Sequence, residues 1–196
     1  MHNNGRIVPS NILEYIIRRD RGDESFQLYA SNTNFTVEKL ADTVRKTLNS
    51  IPLSFGSCVM ISSGLVAALE VEHDISAVAV VGDLKVNGLN IFKCKKNVPM
   101  PTGNDEIIQE TWDGHCWVEI NGIICDLSIF RSAYAIQSSS VLKAFILNNF
   151  GEGRGALLSP AESLPSGLKY VPKYALNDHQ ISGALGGLSA QAEGSI

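Results

Sequence analysis

The spacing of apolar residues predicts three helices in the first part of the chain. Residues 10–19 place aliphatic side chains on one helical face, and the serine that begins this segment is a candidate N-cap. Residues 36–48 repeat the pattern behind a threonine cap. Residues 58–70 are apolar on nearly every side, which is typical of a buried central helix. The polar stretch 20–34 is predicted to be mostly loop.

Strand-like patterns dominate the second part of the chain. Residues 76–86 are rich in valine and end at an Asn-Gly turn, after which residues 89–93 can return as a partner strand. The strongest strand signal covers residues 114–128, and a shorter one covers residues 170–174, whose proline argues for an edge strand. One further helix is predicted over 141–147. Helices that precede strands favour an α+β fold with an antiparallel sheet.

The length of the chain predicts a single domain. The sequence has 196 residues, which is enough to bury a core without cross-links. We expect the domain to cover residues 1–180. Gly, Ala and Ser dominate residues 181–196, so this segment is expected to be a flexible tail.

The Asn121-Gly122 pair lies between two apolar runs and predicts a two-residue hairpin with a type I′ turn. This turn sets the register, and the alternation of side chains along each strand divides the hairpin into two faces. One face is expected to carry His115, Trp117, Glu119, Ile124, Asp126 and Ser128. The other is expected to pack on the core, because it carries only Cys116, Val118, Ile120, Ile123, Cys125 and Leu127.

His115 and Asp126 are diagonal neighbours on the first face of this predicted hairpin. Such neighbours lie about 7 to 8 Å apart, so an imidazole and a carboxylate can form a hydrogen bond. The carboxylate would fix the tautomer of the ring and favour its protonated form. The pair therefore has the composition of the base and its orienting group in a catalytic triad.

Cys58 is the candidate nucleophile of such a triad. Gly56 and Ser57 lead the chain into the third predicted helix, so the thiol falls at a helix N-terminus. The unpaired N–H groups and the dipole of a helix start stabilise a thiolate, and a nearby imidazolium would lower the thiol pKa further. The backbone N–H of Cys58 can also serve an oxyanion hole. Together with His115 and Asp126, this thiol has the groups needed for acyl transfer through a thioester.

The order of these residues resembles the transglutaminase-like branch of the papain-like cysteine-enzyme superfamily. The resemblance covers roughly residues 52–130. It is carried by Cys58 at a helix start, the run AVAVVGD at 77–83, the strand HCWVE at 115–119, and Asp126 before Leu127 and Ser128.

The resemblance implies a papain-like, transglutaminase-like core in which an N-terminal helical part packs on an antiparallel β-sheet. It also implies that Cys58 is the nucleophile, that His115 is the general base and acid, and that Asp126 orients the imidazole. Related enzymes include peptidases, amidases, glutamine deamidases, transglutaminases and arylamine N-acetyltransferases. The substrate implied is therefore a peptide, a protein, or a small amide or ester.

Composition and charge exclude several other classes of protein. Apolar residues make up 44% of the chain and the formal net charge is −4, which excludes a disordered chain and argues against general nucleic-acid binding. No apolar run is long enough to span a bilayer, and the first residues lack the pattern of a signal peptide. We therefore expect a cytoplasmic protein with no nucleic-acid or membrane partner.

The four cysteines are expected to be free thiols. The chain contains no CxxC pair, which argues against a structural zinc site. A metal site built from Cys58, His115 and Cys116 is also disfavoured, because adjacent residues of a strand point to opposite faces. We expect neither a metal nor a cofactor.

Three functions are compatible with this pattern. A cysteine hydrolase of peptide or side-chain amide bonds is favoured by the order of Cys58, His115 and Asp126. A non-catalytic peptide- or protein-binding module on the same fold and an amine acyltransferase are the alternatives. Trp117 is a candidate substrate-binding residue, and Trp112 is a second aromatic side chain that could line the groove. An oxyanion-hole side chain stays open among Gln27, Asn34, Asn49 and Ser54.

Overall fold

The structure is a computed structural model that describes residues 10–51, 57–101, 112–135 and 138–192. Its described part contains six α-helices, which are α1 (Asn11–Ala30), α2 (Val37–Ser50), α3 (Cys58–His73), α4 (Ile129–Tyr134), α5 (Ser140–Phe150) and α6 (Asp178–Ala192). It also contains six strands, which are β1 (Val78–Val86), β2 (Leu89–Phe92), β3 (His115–Ile120), β4 (Ile123–Asp126), β5 (Leu157–Pro160) and β6 (Leu168–Ala175). The predicted α+β class with an antiparallel sheet is confirmed.

The sheet is built around β1, which pairs with three other strands in antiparallel fashion. β6 pairs along residues 80–86 of β1, while β3 and β2 follow one another along its other edge at residues 78–82 and 84–86. β4 pairs with β3, and β5 pairs with β4. The end of β2 and the start of β3 therefore meet, which brings Phe92 next to His115.

Helices cover both faces of the sheet and enclose two apolar clusters. The first cluster combines sheet residues such as Val80 and Trp117 with side chains of α1, α4 and α5. The second cluster combines Ala79 and Cys116 with side chains of α2, α3 and α6. Successive residues of β1 and β3 alternate between the two clusters, as the two-residue period of a strand requires. β1 and β3 are consequently buried on both sides.

Helix α1 continues through residues 20–30, where a loop was predicted. Ser10 caps the helix as expected, since its hydroxyl accepts a backbone N–H three residues later at 3.2 Å. The loop prediction is wrong because the polar residues occupy only the exposed side, while Phe26 and Tyr29 are buried in the first cluster. Gly22, with φ of 88°, interrupts the helical geometry inside this element.

The second and third helices begin at the predicted residues. Thr36 accepts a hydrogen bond from the N–H of Lys39 at 3.2 Å, which caps α2, and Cys58 is the first residue of α3. Helix α5 extends the helix predicted over 141–147 at both ends. Across the described helices, none combines the length and the apolar character needed to cross a membrane.

Helix α6 occupies residues that were expected to form a flexible tail. Asn177 and Gln180 cap it reciprocally, because the side-chain oxygen of each accepts the backbone N–H of the other, at 3.0 and 3.1 Å. Ile181 and Ala184 are buried, and the helix packs on α3. The tail prediction is therefore wrong up to residue 192, because this cap and these buried contacts outweigh the low helix preference of Gly and Ser; residues 193–196 lie outside the described part.

Strand β6 is longer than the strand predicted over 170–174 and pairs only with β1 among the described strands. Pro172, which has no N–H to donate, is tolerated because β6 lies at the edge and its register shifts beside this residue. Helix α4 and strand β5 were not predicted. Through β6, the C-terminal part of the chain returns to the strand that lies next to His115.

Candidate active site

The β3–β4 hairpin has the register that the sequence predicts. Val118 pairs with Cys125, and the two turn residues have φ of 47° and 76°, as a type I′ turn requires. His115 and Asp126 therefore lie on one face, as expected. That face was not expected to be core, but β3 is buried along its whole length, and its neighbours belong to the first cluster.

His115 and Asp126 form a buried pair in direct contact. The Nε2 atom of His115 lies 2.5 Å from Oδ2 of Asp126. The two side chains are 1% and 0% exposed. Because a carboxylate can only accept hydrogen bonds, Nε2 carries a proton, and Nδ1 is the ring nitrogen left for another partner.

The carboxylate of Asp126 is surrounded by hydrogen-bond donors. Oδ1 accepts the backbone N–H of Ser128 at 2.8 Å, the hydroxyl of Ser128 at 2.9 Å and the N–H of Ile129 at 2.9 Å. Oδ2 accepts the hydroxyl of Tyr170 at 2.8 Å in addition to His115. Burial by itself would raise the pKa of Asp126, but the charge and hydrogen bond of His115, supported by these donors, hold that pKa below its ordinary value.

Aromatic rings fix the position of the His115 imidazole. The ring of Phe92 stacks on it with centroids 5.0 Å apart and an interplanar angle of 17°. Trp117 and Tyr170 lie at 6.4 and 6.2 Å from its centroid. These contacts restrict rotation of the imidazole, so the ring is held in the orientation that the Asp126 bond selects.

Trp117 has a structural place in this arrangement. Its side chain is 0% exposed, and its indole N–H donates to Oε1 of Glu119 at 2.9 Å. A side chain with no exposed surface does not line an open groove in this conformation, in contrast to the expected substrate-binding role. Burial raises the pKa of Glu119 to about 7, and the bond from Trp117 opposes that rise. Trp112, the second aromatic candidate, is half-buried and donates to the carbonyl oxygen of Lys96.

Cys58 stands at the first residue of α3 and is half-buried. Its sulfur is within hydrogen-bonding reach of the backbone N–H of Cys116 and of the N–H groups of Cys58 itself and Val59. Burial raises the pKa of the Cys58 thiol to about 11, while these three N–H groups act in the opposite direction. The helix start therefore favours the thiolate as expected, but burial outweighs it in this state of the protein.

The thiol of Cys58 lies next to the residue that follows His115 in the chain. The side chains of Cys58 and His115, both within the described residues, form no hydrogen bond with each other. Cys116, whose N–H faces the sulfur, is the next residue after His115 in β3. Cys58 packs with the second cluster, whereas the imidazole lies among rings of the first. The predicted set thus consists of a joined His115–Asp126 pair and a thiol placed at the same end of the strand.

The remaining predicted residues fall in different places. The side chain of Asn34 binds Asp74 at the far end of α3 from Cys58, and Gln27 is exposed on α1. Asn49 is exposed near the end of α2, and Ser54 lies outside the described residues. None of these positions identifies an oxyanion-hole side chain.

Sequence reasoning did not find Tyr170 or Phe92 as parts of the site. Tyr170 follows Asp126 by 44 residues and reaches it only because β6 returns beside β1. Phe92 meets His115 because β2 and β3 share one edge of β1. No local spacing marks either contact, since both depend on strand order.

Within the part of the chain that the structure describes, no group of three or more His, Cys, Asp and Glu side chains is placed to hold a metal ion. In comparisons with known proteins, no family model, no curated protein and no solved structure matches this chain.

Proposed function

We propose that this protein is a cysteine acyl-transfer enzyme that hydrolyses peptide or side-chain amide bonds on a papain-like, transglutaminase-like core. In this proposal Cys58 is the nucleophile, His115 is the general base and acid, and Asp126 orients the imidazole. The observation that carries it is the buried His115–Asp126 pair beside a thiol at a helix start. A buried imidazole–carboxylate pair of this kind, with one ring nitrogen left for another partner, is a candidate functional site on physical grounds.

The proposed reaction begins with the thiol in its protonated form. Because burial holds the pKa of Cys58 near 11, attack on the substrate carbonyl has to be accompanied by transfer of the thiol proton to Nδ1 of His115. Asp126 supports this step, since it holds the Nε2 proton and stabilises the imidazolium that forms. The imidazolium then gives its proton to the leaving amine as the C–N bond breaks, which leaves a thioester on Cys58.

Hydrolysis of the thioester completes the proposed cycle. Neutral His115 takes a proton from an incoming water while its oxygen attacks the thioester carbonyl, and the C–S bond breaks with return of the proton to sulfur. The N–H groups at the start of α3, which already face the sulfur of Cys58, are the proposed donors to the developing oxyanion. An amine in place of water would give acyl transfer, so the amine acyltransferase differs from the hydrolase only in its acceptor.

A reduced thiol is required for this mechanism. All four cysteines are free thiols in the structure. We therefore propose a reducing compartment, the cytoplasm, as the place where the protein works.

Labelling of the native full-length chain with iodoacetamide, followed by peptide mapping, tests the proposal. Cys58 is expected to react first, because Cys94, Cys116 and Cys125 are only 2%, 0% and 0% exposed. Exposure alone would give that ranking, so the deciding measurement is the effect of His115→Ala, which should slow labelling of Cys58 by about tenfold or more. His179→Ala is the matched control, since His179 is exposed and distant in sequence from the site.

Activity assays extend the same test. A panel of amide, ester and glutaminyl substrates, each with and without an added amine, should show turnover that Cys58→Ser abolishes. Stimulation by the amine would identify an acyltransferase. Labelling of Cys58 that is unchanged by His115→Ala, together with no turnover, would contradict the enzyme.

A binding module on the same fold is the second candidate. It is favoured by two observations: the Cys58 and His115 side chains make no direct hydrogen bond, and the pKa of the Cys58 thiol is raised. In that case the His115–Asp126 pair would be a structural feature and Cys58 an ordinary half-buried thiol. Retention of a bound peptide by both Cys58→Ser and His115→Ala, without turnover, would support it.

A further inference from the structure

The hydroxyl of Tyr170 binds the same carboxylate oxygen as His115. It donates to Oδ2 of Asp126 at 2.8 Å, while Nε2 of His115 lies 2.5 Å from that atom. Tyr170 is 8% exposed, and Asp126 is fully buried, so water does not compete for this bond. The phenol is therefore a fixed partner of the His115–Asp126 pair.

The path of the Tyr170 side chain across the sheet depends on a glycine. Tyr170 lies on β6 opposite Leu84 of β1, and two residues away Gly82 of β1 pairs with His115. A side chain at Gly82 would come within 3.0 Å of the Trp117 ring. Because Gly82 has no side chain, the rings of Trp117 and Tyr170 can pack edge to face with centroids 5.0 Å apart. The phenol of Tyr170 then reaches over β1 and β3 to β4.

We propose that Tyr170 is a positioning residue for the acyl-transfer reaction, and that its hydroxyl limits how strongly Asp126 binds the imidazole of His115. This inference rests on the proposed function of His115. The carboxylate has about four lone-pair positions, and it already accepts five donors from His115, Tyr170, Ser128 and Ile129. Each donor to Oδ2 reduces the negative charge available to the other.

The consequence for the proposed base has a definite sign. With the Tyr170 bond in place, Oδ2 binds the protonated imidazole less strongly, so His115 gives up its proton more readily. Removal of the hydroxyl leaves Oδ2 to His115 alone and strengthens that hydrogen bond. The protonated ring becomes more stable, and the pH at which His115 titrates moves upward.

Other ionisable groups surround this pair, and removal of the Tyr170 hydroxyl leaves all of them in place. Glu119 lies on the same strand, and Cys58 and Cys116 lie at the start of α3 and on β3. Asp83 of β1 is bound to Lys173 of β6 at 2.7 Å. A change confined to the Tyr170 hydroxyl therefore reports on the oxygen that Tyr170 and His115 share.

The experiment is an NMR titration of the histidine ring in the full-length chain and in Tyr170→Phe, which keeps the aromatic ring and removes only the hydroxyl. The signal of His115 is assigned with His115→Ala. The midpoint is expected to rise by roughly half a pH unit to one unit in Tyr170→Phe. Tyr174→Phe is the matched control on the same strand, where the ring lies under the Arg19 guanidinium, and it should leave the midpoint unchanged.

An unchanged or lowered midpoint in a folded Tyr170→Phe chain would overturn the inference. If this variant fails to fold, the wild-type chain provides the measurement. The resonance of its Tyr170 hydroxyl proton should be protected from exchange, and its chemical shift should change with the same midpoint as His115. A hydroxyl resonance whose chemical shift does not change as His115 titrates would also overturn the inference.

The titration separates this inference from the proposed function. The titration measures protonation of His115 whether or not Cys58 is a nucleophile, whereas the labelling rate of Cys58 tests the proposed enzymatic function. Suppose that the midpoint rises in Tyr170→Phe but labelling of Cys58 does not depend on His115. The enzymatic function would then be rejected, while the effect of Tyr170 on the His115–Asp126 pair would still be supported.

Discussion

Ser128 binds one oxygen of Asp126 twice, through its backbone N–H at 2.8 Å and its hydroxyl at 2.9 Å. The loop that leaves β4 thereby holds the carboxylate from the side opposite His115, which binds the other oxygen. Asp126 is thus fixed at both oxygens. In the proposed reaction this preorganisation would help Asp126 to orient the imidazole, because a carboxylate that has to rotate loses part of its effect on the ring.

Ser128→Ala is expected to destabilise the protein by about 1.5 to 3 kcal/mol at neutral pH, the range for a hydrogen bond to a charged group. The pKa of Asp126 is held low in the folded state, so its contribution to stability is present above the ordinary value of 3.8 and is lost as the pH falls. The deficit of the variant should therefore shrink in acid. Denaturant unfolding at neutral and acidic pH measures both.

Ser139→Ala is the matched control for this variant. Ser139 precedes α5 and makes no side-chain capping bond, so its removal should change stability by less than about 0.5 kcal/mol. Equal losses in the two serine variants would show that the Asp126 bond does not stabilise the fold.

Glu119 is expected to make the protein less stable as the pH rises. Burial raises its pKa from 4.5 to about 7 in the folded state, so the folded chain binds more protons than the unfolded chain between these values. Stability falls across this window, by up to roughly 3 kcal/mol. Glu119→Gln keeps an oxygen acceptor for the Trp117 indole N–H and carries no charge, so it should be more stable than wild type at pH about 8 and similar at pH about 5.

Thermal and denaturant unfolding of both chains across this pH range provide the measurement. Glu152→Gln is the control, because Glu152 is exposed and its substitution should not alter the pH dependence. A Glu119→Gln chain that is less stable than wild type in mild alkali would contradict the assignment of a buried carboxyl that resists ionisation.

The hairpin was predictable because its information is local. The Asn121-Gly122 turn sets the register, and the register alone places His115 and Asp126 on one face. The start of α3 at Cys58 followed in the same way from residues that adjoin it in sequence. The sequence of the hairpin did not show that both of its faces are buried, because that burial depends on helices from distant parts of the chain.

The contacts that were missed are contacts between distant segments. Tyr170 reaches Asp126 because β6 pairs with β1 and Gly82 leaves room beneath the rings. In α1 the polar run around residue 22 concealed the second half of the helix, where Phe26 and Tyr29 are the buried residues. Helix α6 was mistaken for a tail because Gly and Ser have low helix preference, although the Asn177 and Gln180 spacing was a local sign of a reciprocal cap.

Gln180 is expected to stabilise α6 from a fully buried position. Its side-chain oxygen accepts the N–H of Asn177 at 3.1 Å, and its side-chain amide donates to the carbonyl oxygen of Val98. Gln180→Ala removes the acceptor of the Asn177 N–H, which is one half of the reciprocal cap, and leaves the buried carbonyl of Val98 without this donor, so a loss of about 1 to 3 kcal/mol is expected. Hydrogen exchange of the α6 amides should accelerate in this variant.

His179→Ala provides the comparison for Gln180, because His179 is the neighbouring residue and is exposed. It should leave both the unfolding free energy and the exchange of α6 close to wild type. Rapid exchange of α6 in the wild-type chain itself would contradict a capped and packed helix.

Gly82→Ala is expected to be the most damaging single substitution near the site. A Cβ at this position would overlap the carbonyl oxygen of Val171 in β6 and approach the Trp117 ring to 3.0 Å. The carbonyl belongs to the backbone of a paired strand, so it can move only if β6 shifts away from β1. A loss of at least about 3 kcal/mol, or failure to fold, is therefore expected.

Gly155→Ala tests whether this effect is specific to Gly82, where β6 approaches β1 closely. A Cβ there would meet only Cδ1 of Leu48 at 3.1 Å, the end of a flexible side chain, so a loss below about 1 kcal/mol is expected. Denaturant unfolding compares the two variants, and NMR of the His115 ring shows whether a folded Gly82→Ala chain keeps the imidazole beside Asp126. Because β6 carries Tyr170, a shift of this strand should release the phenol from Oδ2 and disturb the His115 signal. A Gly82→Ala chain with wild-type stability and an unchanged His115 titration would show that β6 tolerates displacement, and that neither the stability nor the pair depends on its close approach to β1.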